Sequence, residues 1–310
     1  MGPDELIRIS YVARRHYQDR RSRVEIADEL DLSRFKIARM LEKAEEMGIV
    51  RFEISIPGSV DLDLSVGLRN RFGLRRALAV TTPSETPEVI QDALGLVAAQ
   101  LLSEIVVEGD FLGLTAGRTL DSMSRHLRTL PYCDLVALGG VAGPVKEHGV
   151  EIIRRIGQIS HGATYPIFAP LFVTSPVTAR ALRGDRMIAD AYSRFDRVTK
   201  GIVAIGSWSP PDSQLYDAAF EAGLSEGLLR DGVIGEVGAT LFDADGRIID
   251  AIDDRSIAIT AEQLRNVPEV IALGGGTLKT LAVRGAIKSG IVDSLITDAA
   301  LAKRLLDMPD

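Results

Sequence analysis

Two glycine-rich segments of this 310-residue chain each deliver a cation into what reads as the first turn of a helix. Thr115-Ala116-Gly117-Arg118-Thr119 closes the apolar run FLGLT (111–115), and Gly274-Gly275-Gly276-Thr277-Leu278-Lys279 closes VIALGG (270–275). Glycines let backbone N–H groups approach an anion, and a helix N-terminus adds positive potential. Arg118 and Lys279 oppose that potential, which is favourable only if an anion sits with them. The competing reading makes each glycine a tight turn and each cation a solvated one. Two loops in corresponding positions favour the anion. Glu236, in VIGEVGATLFD, is a carboxylate in an apolar, glycine-rich setting. It reads as an acceptor for sugar hydroxyls, as a base, or as a partly exposed acid at a strand end.

Better-known chemistries are missing. Neither loop has the G-x-x-x-x-G-K-[ST] spacing, no G-x-G-x-x-G opens a helix and no G-x-S-x-G elbow occurs. No nicotinamide or other cofactor is therefore expected. His16, His126, His148 and His161 are scattered without metal-ligand spacing, and the single Cys133 excludes an intrachain disulfide. That usage fits a reducing, cytoplasmic setting. No apolar run has the length of a membrane span and no signal peptide is evident, so no membrane partner is expected.

A second set of cations lies near the N-terminus. Residues 23–48 read as a helix-turn-helix, with Ile26, Ala27, Leu30, Leu32, Ile37, Met40 and Leu41 as the apolar set of two short helices. Asp31 tolerates the left-handed turn, Ser33 caps the second helix and Gly48 stops it. That helix exposes Arg34, Lys36, Arg39 and Lys43, residue types that contact phosphates and guanine edges in the major groove. The same pattern describes an ordinary helical hairpin with a solvated basic face. Position and context favour DNA. A preceding helix over 4–19 supplies Leu6, Ile7, Ile9, Val12, Ala13 and Tyr17 as its buried face. Residues 49–56 alternate Val50, Phe52, Ile54 and Ile56 with polar residues as a half-buried strand, completing a winged-helix-like unit. Arg14, Arg15, Arg20, Arg21 and Arg23 precede the motif with only Asp19 against them. They read equally as a backbone grip or as a solvated face.

The charge is local rather than global. Residues 1–57 carry 11 Lys plus Arg against 11 Asp plus Glu, so the whole net charge of −7 falls on the remainder. Pro57-Gly58 marks the expected boundary between a 1–57 DNA-binding unit and a 58–310 domain, with a connecting amphipathic helix running to about Phe72. Beyond it, strand-like runs at 77–82, 111–115, 134–140, 202–208 and 270–275 alternate with helical patterns, notably 87–107, 118–129, 214–230 and 277–289. Short apolar runs ending in glycine and opening into helices predict a parallel, doubly wound α/β sheet. Such sheets bind ligands at the carboxyl ends of their strands.

With these pieces in order, the chain resembles the SorC family of bacterial transcriptional regulators. The motifs are the helix-turn-helix followed by FLGLTAGRTL, VALGGV, APLFVTS, VIGEVGATLFDADG, IALGGGTLK and SLITDAALAKRLL, spanning about residues 5 to 307. The resemblance implies an α/β sugar-binding domain similar in fold to sugar-phosphate isomerases. It implies a homo-oligomer, usually a tetramer, that binds a double-stranded DNA operator and responds to a phosphorylated sugar, polyol or related metabolite. Carried over by motif, Thr115, Gly117, Arg118 and Thr119 hold phosphate, and Lys279 contacts phosphate or sugar. Glu236 takes the hydroxyls, and Gly139 and Gly140 of VALGGV join the effector set. Ser33, Arg34, Lys36, Arg39 and Arg23 form the expected DNA contact. The expected function is control of carbohydrate catabolism without turnover. The alternative is a sugar-phosphate isomerase-like enzyme fused to a DNA-binding unit. It needs an acid/base pair, and beside Glu236 no second titratable residue has a clear claim.

Overall fold

A computed structural model describes residues 2–51, 59–142 and 149–309 of the protein. Its contacts divide the chain into two units, Met1–Pro57 and Gly58–Asp310.

The first unit is built from α1 (Pro3–Tyr17), α2 (Arg23–Leu30) and α3 (Arg34–Glu46). Each boundary has a local cause. Ser22 and Glu25 form a capping box at the start of α2, at 3.2 and 2.8 Å. Asp31 ends α2 in the left-handed conformation, φ 52°, and Ser33 accepts the Lys36 N–H at 3.2 Å to start α3. Gly48, at φ 67°, follows the last turn. Ile9, Val12 and Ala13 meet Ile26, Ala27, Ile37, Leu41 and Ala44 in a closed core, with Tyr17, Leu30, Leu32 and Met40 packed on its rim. The predicted buried face of α1 is too wide. Leu6 is 41% and Ile7 67% exposed. Ile7 lies two residues from Ile9, about 200° around the helix, and Leu6 sits in the first turn, where the buried stripe runs out. The strand expected over 49–56 falls largely outside the described residues, as does the Pro57-Gly58 boundary. Ile49 and Val50 are described, and pack on the same core without strand pairing.

The second unit holds one mixed sheet. In chain order its strands are β1 (Val60–Asp61), β2 (Arg76–Val80), β3 (Phe111–Leu114), β4 (Cys133–Ala137), β5 (His161–Tyr165) and β6 (Lys200–Trp208). There follow β7 (Pro211–Asp212), β8 (Gly235–Val237), β9 (Thr240–Phe242), β10 (Ile248–Ile249), β11 (Glu269–Leu273) and β12 (Ser294–Asp298). The main sheet runs β1-β2-β12-β11-β6-β3-β4-β5, parallel except for β1. The helices α4 (Leu62–Phe72), α5 (Pro87–Ile105) and α6 (Arg118–His126) pack as α4 with Ala299–Asp307 and α5 with α6.

The strand order locates a crevice. From β3 the chain steps outward through β4 and β5, returns to β6 beside β3, then steps the other way through β11 and β12. Right-handed crossovers change face when the direction changes. The reversal therefore falls between β3 and β6, and opens a crevice at their carboxyl ends. β6 does not stop there. Lys200–Ala204 pair in parallel with β11, whereas Ile205, Gly206 and Ser207 pair antiparallel with Val237, Glu236 and Gly235. This extension, with β8, β9 and β10, covers a separate core around Trp208, Leu215, Leu228 and Leu241.

The α/β class and five strands agree with the sequence reading, with shifted ends. β12, the short edge strand β1 and the antiparallel strands β7 to β10 were not anticipated, nor was the edge strand β5, whose residues HGATY show no alternation. The predicted helix 214–230 breaks into Gln214–Glu221 and Ser225–Arg230 around Gly223, at φ 71°. The helix predicted over 118–129 ends at His126, and that over 277–289 begins as a 3-10 turn, Thr277–Lys279, before Thr280–Lys288. Among the described residues no helix is long and apolar enough to cross a membrane, and no cluster of His, Cys, Asp and Glu has metal-binding geometry.

Candidate functional site

The crevice between β3 and β6 is a cleft of about 330 Å3. Thr115, Gly117, Arg118, Thr119, Gly139, Gly140, Glu236 and Lys279 all line it, brought together from four separate loops and strands. Thr115 directly follows β3, and its Oγ1 accepts the Ala204 N–H at 2.9 Å, locking the end of β3 to β6 across the crevice. Gly117 precedes α6, so Arg118 is the first residue of that helix. Gly139 and Gly140 follow β4, where a side chain on Gly140 would collide with the Ala169 and Pro170 carbonyls.

On the opposite wall, Gly276 adopts φ 94°, a conformation that L side chains rarely take. Its N–H donates to Asp298 Oδ2 at 2.7 Å, while Asp298 Oδ1 caps the helix Ala299–Asp307 at Leu301, 2.8 Å. This double role holds the loop so that the Lys279 side chain turns inward, 15% exposed, and its Nζ donates to the Ile205 carbonyl at 2.6 Å.

The two cations share a carboxylate that sequence reading missed. Arg118 pairs with Asp212 Oδ1, and Lys279 Nζ lies 3.5 Å from Asp212 Oδ2. Burial works to raise the Asp212 carboxyl, but Lys279 and Arg118 outweigh it and hold it below its ordinary value. Burial likewise pulls the Lys279 ammonium below its ordinary value, against the attraction of Asp212 and Glu236. The expectation that an external anion alone offsets the helix-start cations is therefore corrected: Asp212 already does so from within. Its signal was faint, an acid beside a proline pair in Pro210-Pro211-Asp212-Ser213.

Glu236 is 6% exposed in the middle of β8, not an acid at a frayed strand end. It faces Gly206 in the antiparallel register, and a side chain at 206 would overlap the Glu236 carboxylate. Glycine there makes room for the acid. Ser213 Oγ donates to Glu236 Oε1 at 2.6 Å and the Trp208 indole N–H donates to Oε2. Burial nevertheless pushes Glu236 up to about 7, because two hydrogen bonds and the nearby Lys279 do not replace the lost hydration. Trp208 is the sole tryptophan of the chain, and as a buried indole it needs an acceptor. That need was a legible signal for a partner of Glu236. Asp212 is the second titratable group that the sequence reading lacked.

On α3, Arg34, Lys36 and Arg39 are exposed and make no ion pair among the described residues. No acid occupies the first turn. Ser33 is exposed, with its hydroxyl engaged as the helix cap, and Arg23 is exposed at the start of α2. Lys43 departs from the expected basic face: it pairs with Glu5 at 2.6 Å. The arginine cluster also has more opposition than Asp19. Arg15 binds Glu29 at 2.7 Å as well as Asp19 at 2.9 Å, and Arg21 binds Glu25 at 2.9 Å. Arg15 belongs to the scaffold, whereas Arg14, Arg20, Arg21 and Arg23 are exposed.

A helical unit with free cations, joined in one chain to an α/β unit with a polar cleft at its switch point, has the plan of a ligand-responsive regulator. Residues 58–307 match Sugar-bind, a sugar-binding domain family, and the chain belongs to that family. It is 27% identical to the transcriptional regulator LsrR of Klebsiella pneumoniae subsp. pneumoniae, covering 99% of this chain and 94% of the relative. It is 26% identical to the deoxyribonucleoside regulator of Bacillus subtilis, covering 95% and 96%. The fold matches the crystal structure of the full-length sorbitol operon regulator SorC from Klebsiella pneumoniae. There the TM-score is 0.74 at 22% identity, over 99% of this chain and 100% of that one.

Proposed function

We propose that this cytoplasmic protein represses or activates genes of carbohydrate catabolism by binding a double-stranded DNA operator. A phosphorylated sugar or polyol controls its operator affinity from the cleft. The convergence of Arg118, Lys279 and Glu236 on one cleft of about 330 Å3 carries the proposal. The phosphate takes the place of the Asp212 carboxylate between Arg118 and Lys279, with Thr115, Gly117 and Thr119 around it. Glu236, held by Ser213 and Trp208, accepts sugar hydroxyls. Because Ser213 also caps the helix Gln214–Glu221 at Leu215 and Tyr216, release of Asp212 is transmitted to that helix. A ligand that binds one arrangement better than the other shifts the equilibrium by that difference in affinity. Asp212 is held ionised by its cations rather than poised for proton transfer, and the relatives are named as regulators; both favour binding over turnover.

The protein acts as a homo-oligomer, a tetramer by family resemblance, since one short recognition helix reads too few base pairs for a unique operator. A monomeric mass for the full chain by light scattering at micromolar concentration contradicts this part. The effector reading is tested by a thermal-shift screen of sugar and polyol phosphates, where saturation at ~100 times Kd adds about 2.7 kcal/mol. Calorimetry of the best phosphate and its free sugar follows. Each charged hydrogen bond contributes ~1.5–3 kcal/mol, so Lys279→Ala lowers affinity for the phosphate by about one to two orders of magnitude. Ligand-free DNA binding is retained. Equal binding of the phosphorylated and free sugars, or an unchanged difference in Lys279→Ala, refutes the anion site.

A further inference from the structure

Phe35 is the second residue of α3 and is 69% exposed, whereas Ile37 and Leu41 of the same helix are buried. At about 100° per residue, Phe35 and Arg39 lie roughly 40° apart on the outward face, and Phe35 points about 160° away from Ile37. The Arg34 guanidinium lies 5.1 Å from the Phe35 ring centroid. Lys36 follows it, the first turn contains no acid, and the helix start adds its own positive potential. A large apolar ring thus stands among cations, on a helix face that covers nothing in its own unit.

A partner for this face must be anionic overall and yet offer an apolar group to the ring. The DNA major groove fits both conditions. Between its phosphate rims it presents one apolar group, the C5 methyl of thymine. Helix-turn-helix docking also sets the N-terminal residues of the second helix against base edges. On the DNA-binding reading of α3, we infer that Phe35 is a specificity-determining residue that packs on a thymine methyl and selects an A·T pair beside the base pair met by Arg39. Arg34, stacked on the ring, limits its freedom before binding and is placed to reach the adjacent phosphate.

The full chain is tested on a random-core double-stranded DNA library, in parallel with Phe35→Ala. Each thymine of the site selected by the unmodified protein is then replaced singly by uracil, which lacks only the methyl group. At one thymine the unmodified protein loses about fourfold in affinity, about 0.8 kcal/mol for one buried methyl, and Phe35→Ala loses nothing at the same swap. Enrichment of the same site by both proteins, with every uracil swap acting on them alike, overturns the role of Phe35 and leaves DNA binding intact. Failure of the unmodified protein to enrich any sequence removes the DNA-binding reading and this inference with it. If Phe35→Ala enriches nothing, Phe35→Leu decides: retention of the thymine and its uracil penalty supports the contact, and their loss refutes it. A fall in oligomeric mass of Phe35→Ala by light scattering assigns the ring to a contact between copies of the chain, and overturns the inference.

Discussion

The cations of the two units are kept in opposite conditions. On α3, Arg34, Lys36 and Arg39 are exposed and have no ion-pair partner among the described residues. In the cleft, Arg118 and Lys279 both meet Asp212, and Lys279 also donates to the Ile205 carbonyl. Free surface cations gain by displacing counterions from a polyanion, so their binding is strong, fast and steeply dependent on salt. Clamped cations gain only if the incoming anion does better than the carboxylate already present. Their binding is selective, and it moves the group that it displaces. One chain thus carries a surface suited to a long, uniform anion and a cleft suited to a small, shaped one.

The largest effect expected from this contrast concerns Glu236, which shares the cleft with the clamped pair. Its folded-state value of about 7 lies above the ordinary 4.5. The native state therefore binds more protons than the unfolded chain between those values. Stability from this group is fully present below about pH 4.5 and is lost as pH rises through about 7, by an amount on the order of 3 kcal/mol. Glu236→Gln keeps the shape, with its carbonyl on the Trp208 N–H and its amide donating to Ser213, and it removes the dependence. Denaturant titrations of both proteins from pH 4 to 8 measure the difference. Parallel pH profiles contradict the buried, raised carboxyl.

The free set is broken at Arg39. Arg39→Ala leaves the fold intact and weakens specific operator binding by ~1–3 kcal/mol if the guanidinium reads a base. If it meets a phosphate instead, the loss is equal on all sequences and the salt slope falls by about one. Gel shifts over a salt series separate the two. Unchanged affinity for Arg34→Ala, Lys36→Ala and Arg39→Ala singly sinks the assignment of α3.

The smallest expected effect sharpens the clamp itself. Asp212→Asn frees Arg118 and Lys279 and tightens binding of inorganic phosphate about fivefold, about 1 kcal/mol. Glu85→Gln is the control, because Glu85 lines the same cleft but pairs with Arg304 at 3.2 Å. An equal gain in both variants reduces the effect to net charge and breaks the idea of an internal stand-in.

What could be read in the residue order was local. Ser22, Asp31, Ser33 and Gly48 punctuate the helix-turn-helix because capping and left-handed backbone depend on one residue and its neighbours. The apolar runs of β2, β3, β4, β6 and β11 were visible for a related reason: a strand buried on both faces is written as a short continuous apolar segment. The glycine loops at 115–119 and 274–279 marked two walls of the cleft, since the left-handed backbone at Gly276 favours glycine. Tertiary structure decided the rest, because it depends on which segments the sheet order brings together. Asp212 meets Arg118 only because β6 returns beside β3, and it stands 94 positions away in the chain. Glu29 meets Arg15 because α2 folds back on α1, which turned a presumed free arginine into scaffold. Leu6 and Ile7 look like core by type, yet remain outside, since three short helices offer too little facing surface to cover a whole turn more. Residue type and spacing set each element and its local ion pairs; the partners of Arg118 and Lys279 were settled by strands that meet from far apart in the chain.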